Sequence, residues 1–262
     1  MQNIHPTSVV EDGASIAEDV KIGPFCYITK DVTIDSGTIV DSHVSIEGDT
    51  HIGKNNHIFA HCSIGSIPQD LKYAGEPVKL KIGDDNTIRE FAQINPGTKG
   101  GGSITNIGNK NLIMGHVHIG HDVQIGNNCI LANGIALAGH VEMGDFVVIG
   151  GLSAVHQFSK LGDYSMLGGA SALSQDIPPY CMAEGNRAIL RGLNLTGLRR
   201  LIDRKDIDIL KSAYRELFEK GKPLQDVANE LQSKSDSDFV LKLTNFIKKS
   251  KRGIPFARKI NV

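Results

Sequence analysis

The sequence predicts a mainly β chain: a parallel β-helix built from six-residue turns, followed by a C-terminal α-helical part. Three observations predict it. From Ile4 every sixth residue is aliphatic through Ile64; the phase returns at Ile82, Ile88 and Ile94, and after a one-residue slip it runs from Ile107 to Leu173. Composition fits a narrow, repetitive core, with 29 glycines, 5% aromatic residues and no tryptophan among 262 residues. After "IPPY", residues 177–180, the period stops and apolar residues take helical spacing.

A period of six matches neither a 3.6-residue helix nor a two-residue strand alternation. It matches a short strand and a corner, repeated, with glycine often just after the aliphatic residue, as at Gly23, Gly53, Gly83 and Gly120. Three hexads close one triangular coil, so the chain returns to the same edge every 18 residues, about 4.8 Å higher. Two segments leave the rhythm, "SIPQDLKYAGEPVKLK" at 66–81 and "NPGTKGGGSITN" at 95–106, and are expected to project as loops, where function tends to sit. Residues 1–186 are expected to form the β-helix and 187–262 the helical domain. Its helices are expected over 198–221, 223–232 and 238–250, covering the end of the coil stack, as a solenoid requires.

The N-terminus lacks a basic flank followed by an apolar run, and no stretch approaches about 18 apolar residues. No integral membrane segment and a cytoplasmic location are expected. Cys26, Cys62, Cys129 and Cys181 form no CxxC pair, and the first three occupy an inward, small-residue position of the hexad, which argues for buried packing rather than a disulfide framework or a zinc cluster. Residues 1–186 carry 10 Lys+Arg against 20 Asp+Glu, whereas 187–262 carry 18 against 9. The basic tail suits an acidic partner, or is a dispersed solvated face. No aromatic-basic interleaving points to nucleic acid.

The stretch "LIMGHVHIGHDV", residues 112–123, holds His116, His118 and His121, followed by Asp122. With Val117 and Ile119 inward, His118 points outward and His121 and Asp122 sit at the next corner. One coil later come Gly139 and His140, and a further coil brings Gln157 and Phe158. Three readings stand for this cluster. Zinc needs nitrogens near 2.1 Å, and His116 and His121 flank a strand up to about 16 Å long, so a metal site would have to be shared between subunits. Alternatively the histidines are solvated surface groups. Or a histidine held by a neighbouring carboxylate acts as a general base, with the Gly139 amide facing an oxyanion in a slot that no side chain fills.

"QDLKYAGEP" at 69–77, "HIGHD" at 118–122, "CILANGIALAGHV" at 129–141, "IGGLSAVHQF" at 149–158, "QDIPPY" at 175–180 and "GLRR" at 197–200 resemble the UDP-N-acetylglucosamine O-acyltransferases of lipid A biosynthesis, within the hexapeptide-repeat transferases. The resemblance spans essentially the whole chain and implies the left-handed sense of the β-helix. It implies transfer of an (R)-3-hydroxyacyl chain from acyl carrier protein to the 3-hydroxyl of UDP-N-acetylglucosamine, by a homotrimer with sites between subunits. It makes His121 the base, Asp122 its orienting carboxylate and Gly139 the oxyanion amide. Gln69, Asp70, Lys72, His118, His140 and Gln157 are implied to line sugar and acyl groups, Gly169 to set chain length, and Asn194 and Arg200 to reach the nucleotide. No metal or bound coenzyme is implied, and the acidic carrier protein gives the basic tail a purpose. One departure stands out: where relatives often have a His-Arg pair ahead of "GT", this chain has Asn95 and Pro96. That leaves open an N-acyltransferase acting on a 3-amino UDP-sugar. A trimeric zinc carbonic anhydrase and a non-enzymatic scaffold are the rivals from other classes.

Overall fold

The computed structural model describes residues 3–256. Each hexad contributes a strand of mostly two residues, and the strands of the described residues stack into three faces of 11, 9 and 8 strands, parallel throughout except for the last strand of the first face. Residue pairs such as Asn3 and Lys21, or Ile4 and Ile22, stand 18 positions apart in register, which is one triangular coil. The chain forms a left-handed parallel β-helix with helices at its C-terminal end. The repeating aliphatic residues from Ile22 onward are almost fully buried along its axis. Each such side chain contributes on the order of 1.5–3 kcal/mol of transfer free energy. At the open N-terminal end Ile4, Val10 and Ile16 are only partly covered.

The corners repeatedly hold a residue with positive φ, and most are not glycine. In the column Asp122, His140 and Phe158 the φ angles are 61°, 62° and 65°. A left-handed backbone is costly for residues with a Cβ, and the coil geometry imposes it here. It therefore aims successive side chains from one corner into a vertical row. Cys26, Cys62 and Cys129 sit buried beneath other corners, all free; burial pushes the Cys62 thiol up to about 11 and that of Cys129 to about 12.

The two excursions are shorter than their sequence limits. Lys79–Ile82 is a strand paired with Asp49–Ile52 and Ile104–Ile107, so the first loop ends at Val78 and the second at Ser103. Leu80 is buried, which draws that part of the segment into the coil. Ile82 pairs with Ile107, 25 positions on, so the second excursion adds seven residues to a coil.

Beyond the last hexad an antiparallel hairpin, Cys181–Glu184 with Ile189–Leu193, extends the first face. The expected division at 186/187 thus falls in the turn of this hairpin. Among the described residues four helices follow: α1 Leu195–Leu198, α2 Arg204–Phe218, α3 Leu224–Lys234 and α4 Asp238–Lys249. The helix expected over 198–221 is therefore shorter, running over 204–218, with the separate short α1 ahead of it. Asn194 caps α1 by accepting from the Gly197 amide, Leu198 is buried, and the chain turns before α2 begins with Asp203 in an extended conformation. Aromatic rings fasten the tail to the prism: Phe146, Tyr164 and Tyr180 stack up one corner, and Phe239 of α4 meets Tyr180 edge-on at 5.7 Å.

Candidate active site

The corner between the second and third faces carries Gly120-His121-Asp122. The Asp122 side chain, covered by the projecting loop at Thr98 and Gly101, is 1% exposed, while His121 keeps 16%. Burying a carboxylate is costly unless donors surround it, and here they do. The Thr98 amide donates to Oδ1 at 2.7 Å, the Thr98 hydroxyl donates to Oδ2 at 2.6 Å, and His121 Nδ1 donates to Oδ2 at 2.7 Å. The Asp122 amide in turn donates to the Thr105 hydroxyl at 2.8 Å. Because a carboxylate only accepts, the His121 proton sits on Nδ1 and the lone pair on Nε2.

Thr98 comes from the glycine-rich loop that closes over the corner. A Cβ on Gly101 would overlap the Asp122 carboxylate, so this loop needs glycine where it crosses the acid. Sequence reasoning missed Thr98, Thr105 and Gly101. The phase slip and the run of three glycines in that loop were the only signals for them.

One coil up, Gly139 lies against the His121 ring. A Cβ there would stand 2.6 Å from His121 Nε2, closer than any real contact. Among the described residues the Gly139 amide donates to no protein acceptor. The same coil places His140 edge-on to His121, with centroids 5.0 Å apart, and Phe158 stacks flat on His140 at 4.4 Å. His140 Nδ1 stands 3.7 Å from Asp122 Oδ2, too far for a hydrogen bond.

Burial lowers the pKa of His140, with Asp122 opposing and His121 adding to the effect. His118, outward on the second face beside Gln93 and Ala136, is also lowered, first by burial and then by His121. Both shifts favour the neutral ring, and the buried Nδ1 of His118 has no partner among the described residues. His116 lies on a different corner, stacked on Phe91 at 4.8 Å, so it does not join His121. His121, Asp122 and His140 offer ligand atoms within 4.8 Å of one another. Oδ2 of the Asp122 carboxylate, the oxygen nearer both histidines, already accepts from the Thr98 hydroxyl and His121 Nδ1, so a metal held through it would compete with those hydrogen bonds.

The first projecting loop reaches this corner. Asp70 and Lys72 join Thr98, His140 and Phe158 around an open groove of about 840 Å³. Asp70 shapes its own turn by accepting from the Lys72 amide at 3.0 Å. Asn95, buried at the loop's root, donates to the carbonyls of Ser66 and Ile67 at 3.1 and 3.2 Å. That departure from the resembled pattern therefore holds the loop in place. Gln69 is exposed on the loop, and Gln157 is exposed one coil above Gly139. Gly169 belongs to another corner, between the first and second faces. Asn194 is spent on structure, capping α1 and donating to the Tyr164 carbonyl at 3.0 Å. Arg200, exposed just beyond α1, lines neither this groove nor the adjoining one at Asp122 and His140.

The hexad coils mark a hexapeptide-repeat protein, and residues 104–134 match the family described as bacterial transferase hexapeptide (six repeats). Residues 176–255 match the one described as Udp N-acetylglucosamine O-acyltransferase; Domain 2. A relative from Sulfurovum sp., named acyl-[acyl-carrier-protein]--UDP-N-acetylglucosamine O-acyltransferase, is 68% identical over 259 residues, covering 99% of this chain and 100% of the relative. One of the same name from Aliarcobacter butzleri is 62% identical, covering 99% and 100%. Among solved structures, the UDP-N-acetylglucosamine acyltransferase from Campylobacter jejuni superposes with a TM-score of 0.94 at 46% identity, covering 97% of this chain and all of that one. The chain belongs to the UDP-N-acetylglucosamine O-acyltransferase family. The relatives' names specify O-acyl and not N-acyl transfer, which does not favour the 3-amino alternative.

Proposed function

We propose that this chain transfers an (R)-3-hydroxyacyl group from acyl carrier protein to the 3-hydroxyl of UDP-N-acetylglucosamine, the first step of lipid A biosynthesis, in the cytoplasm. The observation that carries this reading is the alignment of Asp122, His121 and the Gly139 amide at one corner. His121 Nε2 accepts the hydroxyl proton as the sugar oxygen attacks the thioester carbon. The Gly139 N–H stabilises the resulting oxyanion, a contribution of about 10² to 10³ in rate for one such donor. Collapse breaks the carbon–sulfur bond, and the thiolate leaves with the proton from Nε2. Asp122 holds the ring in the competent tautomer throughout, as the third member of a nucleophile–base–orienter set. Neutral His118 and His140 line the bound groups as hydrogen-bonding partners, with Asp70, Lys72, Gln69 and Gln157.

The working unit is a homotrimer. Ile67 and Leu71, strongly exposed on the projecting loop, supply apolar surface for a neighbouring copy. A neighbour would likewise supply the Gly169 corner and Arg200, which this chain does not bring to its own His121; Asn194 would act there by shaping the α1 turn. Among the described residues no helix is long and apolar enough to cross a membrane. The test is mass spectrometry of the product formed from a series of acyl carrier protein thioesters with UDP-N-acetylglucosamine and its 3-amino analogue. An ester product from the natural sugar is expected; amide formation alone, or no transfer to either sugar, refutes the assignment.

A further inference from the structure

Resting on that acyl-transfer reading, we propose that Lys251 and Arg252 form an anion subsite that takes a phosphate ester of a substrate, at the far end of a groove starting at the catalytic corner. The groove, about 680 Å³, runs from Asp122, His140 and Phe158 across the third face to Lys251 and Arg252. Its position depends on a staple. After α4 the chain is pinned to the last coil: Ser250 Oγ donates to Asp176 Oδ2 at 2.6 Å, Gln175 Nε2 donates to the Arg252 carbonyl at 3.1 Å, and the Asp176 amide donates to the Gly253 carbonyl at 2.9 Å.

The guanidinium is held at one point: its Nε donates to the Ser174 carbonyl at 2.9 Å, while Nη2 lies 3.3 Å from His156 Nδ1, a nitrogen that also lies 3.1 Å from the Gln157 carbonyl. Arg252 is half-buried and has no carboxylate partner among the described residues. The acids along the groove are engaged elsewhere: Asp122 by Thr98 and His121, Asp176 by Ser250 and the Lys160 amide, and Glu142 by the Lys160 ammonium at 2.8 Å. Lys251 and Arg252 thus face the groove with no ion-pair partner among the described residues, although the Asp176 carboxylate lines the same groove, and Arg252 offers a guanidinium fork suited to a phosphate. A second hollow, about 400 Å³, adjoins along Met143, Leu161 and Phe246 and gives a slender arm an apolar wall.

Both substrates carry this chemistry, the donor as the phosphodiester of its pantetheine arm and the acceptor as a diphosphate. Steady-state kinetics with acyl-phosphopantetheine, acyl-pantetheine and UDP-N-acetylglucosamine separate them. In Arg252→Gln the KM for the phosphate-bearing substrate should rise about 10- to 100-fold, as for a lost charge-assisted contact, with kcat changed far less. A rise confined to acyl-phosphopantetheine assigns the donor phosphodiester. A rise in the UDP-sugar KM assigns the acceptor. Unchanged KM for both overturns the proposal. Should Arg252→Gln unfold, the exposed Lys251→Gln must shift the same KM in the same direction, and failure to do so overturns the proposal as well. Absence of turnover in the wild-type enzyme would instead defeat the acyl-transfer reading itself.

Discussion

Asp122→Asn is the most discriminating perturbation of the proposed mechanism. The carboxylate accepts three donors, two from Thr98 and one from His121 Nδ1. Asparagine is nearly the same size but brings one acceptor oxygen and one NH₂ donor. With the oxygen towards the Thr98 amide, the NH₂ meets both the Thr98 hydroxyl and the His121 N–H. Imidazole then relieves the conflict by moving its proton to Nε2, where it can no longer take the sugar hydroxyl proton. With the amide flipped, His121 keeps its tautomer, but a buried N–H of Thr98 faces a second donor, at a cost of about 1–3 kcal/mol. The tautomer switch is the cheaper outcome. Turnover should therefore fall about 10² to 10⁴-fold, the span of a positioned general base, while the melting temperature moves by only a few degrees. The assay is kcat and kcat/KM across pH 5.5–9 beside a thermal melt. A variant within about fivefold of wild-type kcat and with an unchanged pH profile would refute the orienting role. A large loss of kcat with collapse of the fold would be reassessed in Thr98→Val, which keeps the carboxylate and removes only its hydroxyl donor; there turnover should fall about tenfold, and wild-type kcat would count against the same role.

His121→Ala should lower turnover by about 10² to 10⁴-fold with the circular dichroism melt little changed, because the side chain sits at a corner outside the aliphatic core; near-normal turnover would remove it as the base. His118 and His140 have pKa values below their ordinary 6.5 because burial disfavours the imidazolium. The unfolded chain then binds protons first, so stability is full above about pH 6.5 and declines as pH falls through 6.5 towards the folded values. Chemical denaturation from pH 8 to pH 5 should show this slope, diminished in His118→Gln; a slope unchanged in that variant contradicts it. Gly169 has no positive φ, and a Cβ there would come no nearer to any atom than 3.4 Å, from the Gly151 carbonyl oxygen, so Gly169→Met should fold. If the acyl chain runs along that corner, the variant should favour shorter donors in a chain-length series; unchanged selectivity in a folded variant would place the chain elsewhere.

The sequence alone determined the prism. A six-residue period dictates strand and corner, the 18-residue coil dictates which residues stack, and so Gly139 could be set over His121 and Phe158 over His140 before any coordinates. Inward alternation likewise marked the aliphatic core and the buried cysteines, because period and burial are local properties of a repeating chain. What only the tertiary structure decided lies wherever the chain leaves its period. Thr98 and Gly101 reach Asp122 because a seven-residue excursion folds back over a corner 24 residues on, and no spacing rule encodes that closure. Asn95 became a loop anchor through carbonyls nearly 30 residues away. Asn194 became a helix cap, and Arg252 was carried 78 residues back to the Ser174 carbonyl by the packing of α4 and the staple beyond it. Repeats propagate order by local contacts between neighbouring coils; loops and tails are placed by long-range closure, whose partners are fixed by which buried polar groups still lack one.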